Sequence, residues 1–240
     1  AIPFPGVPAP DNMDYPRGSA YHGAFAPDRD RFFVSCCHYA SVIYCALVAT
    51  ERLSPAALEK FNVDGWNMEM IGAEHSPGFE NTAGSLGQTV SIAAGTAHAR
   101  KLRGDTGRVF CLMGDGELQE GVCWEGINTA RGRKLDNLIV FADQNGWQSY
   151  KSVEFTVGQN NVADRFRAFG WHVQEIDGHD IAAIKAAVEA AKAEKELPSC
   201  IVCNCVKGKG LSYMENNNAW HKGVPSDEQY AIAVEELGGK

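Results

Sequence analysis

The stretch RVFCLMGDGELQEGVCWEGINTARGRKLDNLIVFADQNG, residues 108–146, decides the fold of this 240-residue chain. It opens with a short apolar run over residues 108–113, which is typical of a buried strand, and continues from Glu117 to Ala130 as a helix with an acidic first turn. A second apolar run over residues 137–143 predicts another strand. Because a crossover between parallel strands returns the chain beside its starting point, we expect the two strands to be parallel neighbours. The sequence therefore predicts an α/β fold with an open, mostly parallel sheet and helices on both faces.

Polar residues follow both predicted strands, at the sheet edge where α/β proteins bind ligands. Asp115 offers an anionic oxygen, Asn145 a neutral amide oxygen, and Trp147 a backbone carbonyl. Three such oxygens suit Mg²⁺ or Ca²⁺, and Mg²⁺ completes its shell with water and phosphate oxygens. Gly116 has no side chain, so its N–H can approach a phosphate at a helix start. The pattern indicates a site for a metal-bound diphosphate, whereas an isolated Gly-Asp-Gly would indicate only a turn between a strand and a helix.

The Gly-Asp-Gly at residues 114–116, followed downstream by Asn145, resembles the signature of thiamine-diphosphate enzymes. The longer sequence GDGELQEG, together with Trp124-Glu125, is similar to the corresponding motif of transketolases in particular. The resemblance implies thiamine diphosphate and Mg²⁺ as cofactors, with Ca²⁺ or Mn²⁺ as substitutes. It implies that the metal is held by Asp115, Asn145 and the Trp147 carbonyl, and that the cofactor also contacts Gly116 and Glu117.

Two further stretches carry the same resemblance. The entry DRDRF at residues 28–32 leads to His38, a position where the family has a histidine beside the diphosphate and the substrate. The turn NTAGSLGQ at residues 81–88 is similar to the family's contact with the aminopyrimidine ring, which implies cofactor contacts from Gly84, Ser85 and Leu86. The alternatives are a histidine that only opens a helix and a glycine that only precedes one.

The later part of the chain adds candidate site residues. The text KGKG from Lys207 and the Trp-His pair ending at His221 resemble the family's diphosphate contacts. The resemblance implies catalytic roles for His38 and His221 toward the substrate. It also implies that Glu120 joins a carboxylate network across a subunit boundary. Lys207 could instead be an exposed loop lysine.

Three other histidines have weaker support. His75 lies too close to the following Pro-Gly-Phe-Glu for a family role to be transferred, so a site role and a local hydrogen bond remain equally open. The Tyr-His-Gly around His22 is too weak a match for a family role to be transferred, and we expect His179 to be structural.

The eight cysteines are expected to pack in the core as free thiols, which would suit a reducing, cytoplasmic setting. A metal site in the C-x-x-C-x-C run at residues 200–205 is the alternative. Strand periodicity argues against it, because Cys203 and Cys205 would share one face and Cys200 the other.

The chain is predicted to comprise a proline-rich extended segment over residues 1–20 and one diphosphate-binding domain over residues 21–240. A net charge of −8 without a basic stripe argues against a nucleic-acid partner, and no apolar run is long enough to span a membrane.

The resemblance covers only the diphosphate domain of transketolases. It implies the N-terminal subunit of a split enzyme, which moves a two-carbon ketol unit between a ketose (phosphate) and an aldose (phosphate). Activity would require a separate C-terminal subunit with the pyrimidine-binding domain, in a heterotetramer. Two alternatives are a subunit of another thiamine-diphosphate enzyme, of the 2-oxo-acid dehydrogenase or deoxyxylulose-phosphate synthase type, and a non-catalytic scaffold of the same fold.

Overall fold

The computed structural model describes residues 17–158 and 161–239, which build a five-stranded sheet with the strand order β1-β2-β3-β5-β4. All four neighbouring strand pairs are parallel. The strands are β1 Arg31–Val34, β2 Val109–Gly114, β3 Leu138–Gln144, β4 His172–Asp177 and β5 Ser199–Asn204. The α-helices are α1 Ala40–Ala49, α2 Gln88–Arg103, α3 Gly121–Gly132, α4 Val153–Val157, α5 Val162–Ala168, α6 Ile181–Ala193 and α7 Asp227–Glu236. Short 3-10 helices span Gly18–His22, Cys37–Tyr39, Pro55–Lys60, Glu117–Gln119 and Asn218–His221.

The strand–helix–strand unit predicted from residues 108–146 is present, and β2 and β3 are parallel neighbours with Val109 opposite Leu138. The predicted continuous helix from Glu117 to Ala130 is wrong in one respect. The chain makes a 3-10 turn, becomes extended at Glu120, and only then enters α3. The break has a tertiary cause, because the side chains of Glu117 and Leu118 are both buried and hold the first turn against the sheet.

Helices cover both faces of the sheet, as the sequence predicts. One face carries the largest apolar cluster, in which β-strand residues such as Cys111, Val140 and Cys200 pack with α2, α3 and α5. On the other face Ile139 and Ile201 pack against α6. The inner strands β2, β3 and β5 are largely buried, which explains why their sequences are mostly apolar runs, whereas the edge strand β4 is polar and partly exposed.

The predicted extended N-terminal segment lies largely outside the described residues, which begin at residue 17. Its last part is not extended but forms the 3-10 helix Gly18–His22. Tertiary contact overrides the local composition here, since the Gly18 N–H donates to the Glu74 carbonyl at 3.0 Å. A Cβ at Gly18 would lie 1.9 Å from the Ser76 carbonyl oxygen, so only glycine allows this close packing.

All eight cysteines are free, and five are buried. The prediction that Cys45 packs in the core is wrong: this residue is exposed, because it shares an outward face of α1 with Val42, which is 64% exposed. Cys200 and Cys203 pack on opposite faces of the sheet, as the strand periodicity predicts.

Within residues 17–158 and 161–239 no three His, Cys, Asp or Glu side chains are grouped to hold a metal ion. No helix of that same part of the chain is long and apolar enough to cross a bilayer.

Candidate functional site

Four adjacent strands end at one edge of the sheet, and a predicted site residue follows each of them. His38 comes shortly after β1, Asp115 directly after β2, Asn145 directly after β3, and Lys207 shortly after β5. The strands are parallel and neighbours in the order β1-β2-β3-β5, so these carboxyl ends lie side by side. The fold therefore assembles at one edge residues that are up to 169 positions apart in the chain (207 − 38).

Asp115 ties two of these strand ends together. Its side chain is only 2% exposed; Oδ1 accepts the Gly116 N–H at 2.8 Å, and Oδ2 accepts the Gly146 N–H at 2.7 Å. Burial raises the pKa of this carboxyl to about 6, and the negative charge of Asp143 acts in the same direction. A buried carboxylate with a second carboxylate nearby is an environment that a cation would stabilise.

Asn145 is oriented by a residue that the sequence did not single out. Its Nδ2 donates to Asp143 Oδ2 at 2.9 Å, while its Oδ1 accepts the Trp147 N–H at 2.9 Å. The Tyr39 hydroxyl also faces Asp143 Oδ2, at 3.4 Å. The available signal was strand periodicity, because Asp143 and Asn145 are two positions apart and so project from the same side of the chain.

His38, Lys207 and His221 form a second group at this edge. His38 is exposed as a whole residue, but partial covering of its imidazole lowers the pKa of the ring; Glu117 opposes this effect, and the charge of Lys207 adds to it. Burial, Lys207 and His38 lower the pKa of His221. These mutual electrostatic effects show that the three side chains share one neighbourhood. In the part of the chain that the structure describes, His221 Nδ1 is buried and has no hydrogen-bond partner.

The position of His221 depends on a contact between two loops. The 3-10 helix Asn218–His221 is held over the chain that follows β3, since Asn218 Nδ2 donates to the Tyr150 carbonyl at 3.1 Å. The segment after β5 therefore folds back toward the loop that carries Asn145.

The turn before α2 places Gly84 and Ser85 at the surface and leaves Leu86 half-buried. It ends at Gly87, whose N–H donates to Glu117 Oε1 at 2.7 Å. Glu120 is exposed beside this turn, and a Cβ at Gly87 would lie 3.1 Å from its Cβ. The predicted cofactor contacts of the turn and the predicted boundary role of Glu120 stay predictions.

The resemblance predicts a cofactor contact for Glu117, but the structure directs its carboxylate elsewhere. The residue is 2% exposed, and its side chain accepts hydrogen bonds from protein donors on three separate segments. The carboxylate is thus held by protein donors, and the predicted cofactor contact of Glu117 stays a prediction.

The three histidines with weaker support each have a hydrogen-bond partner in the protein. His75 is half exposed and pairs with Glu69 at 2.8 Å. His22 Nε2 lies 2.7 Å from the Gly78 carbonyl oxygen. His179 Nε2 accepts the Val206 N–H at 2.8 Å and so joins the turn after β4 to the end of β5.

The chemistry of this edge fits a metal-bound diphosphate. Asp115, Asn145 and the Trp147 carbonyl are oxygen donors of the kind that Mg²⁺ prefers. Lys207 supplies positive charge, and the unpartnered Nδ1 of His221 is a buried polar atom that a bound ligand could satisfy.

Comparisons with known proteins give independent information. Residues 19–239 match the family model described as transketolase, thiamine diphosphate binding domain. The chain is 37% identical over 217 residues to the 6-deoxy-6-sulfo-D-fructose transketolase subunit SqwG of Clostridium sp. (strain MSTE9), which covers 90% of this chain and 79% of that protein. It is 34% identical over 209 residues to one of the subunits of the apulose-4-phosphate transketolase of Phocaeicola vulgatus, covering 87% of this chain and 74% of that protein.

Solved transketolase structures share the fold. The transketolase of Campylobacter jejuni superposes with a TM-score of 0.82 at 31% identity, over 89% of this chain and 35% of that one. A Pichia stipitis transketolase variant in complex with fructose 6-phosphate gives a TM-score of 0.83 at 28% identity, over 89% of this chain and 33% of that one. The chain thus spans about a third of the length of these solved transketolases.

Proposed function

Because the chain belongs to the family of transketolase thiamine-diphosphate-binding domains, we propose that it is the N-terminal subunit of a two-subunit transketolase. The enzyme transfers a two-carbon ketol unit from a ketose (phosphate) to an aldose (phosphate), with thiamine diphosphate and Mg²⁺ as cofactors. The observation that carries this proposal is the convergence of Asp115, Asn145, His38 and Lys207 at the ends of four adjacent parallel strands.

The cofactor is held by its diphosphate end. Asp115, Asn145 and the Trp147 carbonyl would hold Mg²⁺, while Lys207 would neutralise the phosphate oxygens. A phosphate contact from the Gly116 N–H would require that this N–H leave Asp115 Oδ1. Two features support this arrangement: the carboxylate of Asp115 is fixed by two backbone N–H groups, and the Asn145 amide is fixed by Asp143. When bound, thiamine diphosphate supplies the carbanion chemistry, and the protein supplies orientation and electrostatics.

His38 and His221 act on the substrate and on the diphosphate. The pKa of each imidazole lies below its ordinary value, so in the absence of ligand the neutral form of both side chains is favoured. A neutral imidazole accepts a proton from a sugar hydroxyl and can return it, which is the role of a general acid–base residue. Lys207 keeps positive charge beside both rings.

The partner is a separate transketolase C-terminal subunit that carries the pyrimidine-binding domain. SqwG and the Phocaeicola vulgatus relative are themselves named as transketolase subunits, and this chain spans 79% and 74% of them. The exposed Glu120 beside Gly87 is suited to a contact across the boundary. We place the assembly as a symmetric pair of heterodimers, in the cytoplasm, where eight free thiols are stable. The names of the two relatives refer to different sugars. The proposal therefore specifies only a ketose donor and an aldose acceptor, not particular sugars.

The experiment compares this chain alone with the chain mixed with a C-terminal subunit. With thiamine diphosphate and Mg²⁺ present, we measure ketol transfer and the exchange of the thiazolium proton with D₂O. We expect neither activity from the chain alone, because the resemblance places the glutamate that activates the cofactor ring in the C-terminal portion, and both activities from the mixture. Rapid exchange catalysed by the lone chain would overturn the proposal of a split enzyme.

A further inference from the structure

Glu117 is a buried carboxylate that joins three pieces of the proposed site. Its Oε1 accepts the Ser35 hydroxyl and the Gly87 N–H, the latter at 2.7 Å. Its Oε2 accepts the Cys36 thiol at 3.2 Å and the Gly114 N–H at 3.3 Å. The donors come from the end of β1, from the start of α2 and from the end of β2.

Each of these three segments leads directly into predicted site residues. Ser35 and Cys36 precede His38, Gly87 closes the turn that contains Gly84 and Leu86, and Gly114 precedes Asp115. One side chain thus fixes the relative positions of the proposed aminopyrimidine turn and the proposed diphosphate turn. Hydrogen bonds to an ionised acceptor are about twice as strong as neutral ones, so this contact is rigid as well as central.

We propose that Glu117 is the positioning residue that sets the distance between the aminopyrimidine-binding turn and the diphosphate-binding turn, without touching the cofactor. The inference rests on the proposed function, because it names those turns by the ligand they bind. We call the hydrogen bonds from Ser35, Cys36, Gly87 and Gly114 to Glu117 the clamp. The clamp is a property of the chain alone and can be tested without any ligand.

The electrostatics support the same role. The negative charge of Glu117 raises the pKa of His38 against the lowering effect of burial. The clamp therefore acts on the proposed site in two ways: it fixes the backbone of the turns, and it favours positive charge at the His38 ring.

Glu117→Gln is the informative substitution, because it preserves size and removes one acceptor. An amide has a single oxygen, and each oxygen of Glu117 serves one backbone N–H, from Gly87 or from Gly114. In either orientation the new NH₂ group faces one of these N–H donors, and that arm of the clamp is lost. Glu189→Gln is the matched control, since Glu189 is exposed on α6 and pairs only with Lys192 among its charged neighbours in the described part of the chain.

The first measurement is hydrogen–deuterium exchange of the chain alone, resolved to peptides. We expect exchange in Glu117→Gln to be at least about 10-fold faster in peptides that contain Gly87 or Gly114, because a charged acceptor has been lost there. Peptides from β3 and β5 should exchange as in the wild type, and Glu189→Gln should be unchanged throughout. Uniform acceleration over the whole sheet would show a general loss of stability and would overturn the positioning role, as would unchanged exchange at both glycines.

The second measurement is the affinity for thiamine diphosphate with Mg²⁺ present. We expect Glu117→Gln to bind at least about 10-fold more weakly than the wild type, because the two turns no longer keep a fixed separation. Wild-type affinity combined with faster local exchange would overturn the positioning role and leave the proposed function intact. If the wild type assembled with a C-terminal subunit bound no cofactor, the proposed function would fail, and the exchange measurement on the chain alone would still show whether the clamp exists.

Discussion

Gly87 and Gly104 flank the two ends of α2 and form a matched pair for testing how tightly the turn before α2 is packed. Both glycines have a left-handed backbone, with φ of +84° and +75°. A Cβ at Gly104 would meet no atom within 4 Å. At Gly87 it would lie 2.8 Å from Cys123 Sγ and 2.9 Å from Val122 Cγ1, both on α3.

The expected cost of Gly104→Ala is the left-handed conformation alone, about 1–2 kcal/mol. Gly87→Ala adds an overpacked contact with the buried Cys123, which costs about 1–3 kcal/mol more. The difference between the two variants isolates the packing contribution. With a urea slope of about 2 kcal/mol per M, the midpoint of Gly87→Ala should lie about 0.5–1.5 M below that of Gly104→Ala.

Urea unfolding followed by circular dichroism gives both midpoints, and calorimetry with thiamine diphosphate adds a functional readout. Gly87→Ala should also bind the cofactor more weakly, because α3 and the turn from Gly84 to Leu86 must separate to admit the methyl group. Gly104→Ala lies at the opposite end of α2 and should bind like the wild type. Equal midpoints for the two variants would refute the packing argument.

The core thiols and the site histidines allow three more tests. In the folded chain iodoacetamide should modify the exposed Cys45 and spare Cys111 and Cys200, because burial raises the pKa of the last two thiols well above its usual value. Mass spectrometry that shows early modification of Cys111 or Cys200 would contradict their assignment to the core. In the cofactor-free chain the imidazoles of His38 and His221 should titrate below pH 6.5, since burial lowers the pKa of both rings. An NMR titration midpoint above pH 6.5 for either ring would be inconsistent with the structure. In the assembled enzyme His38→Ala and His221→Ala should each reduce turnover by about 10²–10⁴-fold, while cofactor affinity falls much less. Unchanged steady-state kinetics in either variant would leave the substituted histidine with only a structural role.

The features that the sequence predicted well depend on local patterns. The apolar runs around residues 108–146 are long enough to identify β2 and β3, and a single crossover fixes their parallel pairing. The start of α7 depends on a local pattern in the same way, since the Ser226 hydroxyl accepts the Gln229 N–H there in a full capping box. The edge position of Asp115 and Asn145 follows from the same reasoning, because it needs only the order of strand, helix and strand.

The features that the sequence missed depend on contacts between distant segments. The role of Asp143 appears only when the Asn145 side chain folds back onto it. The inward direction of Glu117 requires donors from β1 and from the start of α2, which lie 82 and 30 positions away. The exposure of Cys45 depends on which face of α1 packs against the rest of the chain, and its apolar neighbours give no hint of that.

The central claim is that the edge formed by the carboxyl ends of β2 and β3 binds thiamine diphosphate through a metal held by Asp115. The most direct test is calorimetric titration of thiamine diphosphate into the wild-type chain, Asp115→Ala and Asp64→Ala, each with Mg²⁺ and with EDTA. Asp64 is an exposed aspartate outside this edge and serves as the matched control.

We expect binding to the wild type and to Asp64→Ala that disappears with EDTA, and no Mg²⁺-dependent binding to Asp115→Ala, whose circular dichroism should remain that of the folded chain. Asn145→Ala should act in the same direction as Asp115→Ala. Near-wild-type, Mg²⁺-dependent affinity in a folded Asp115→Ala would contradict the account.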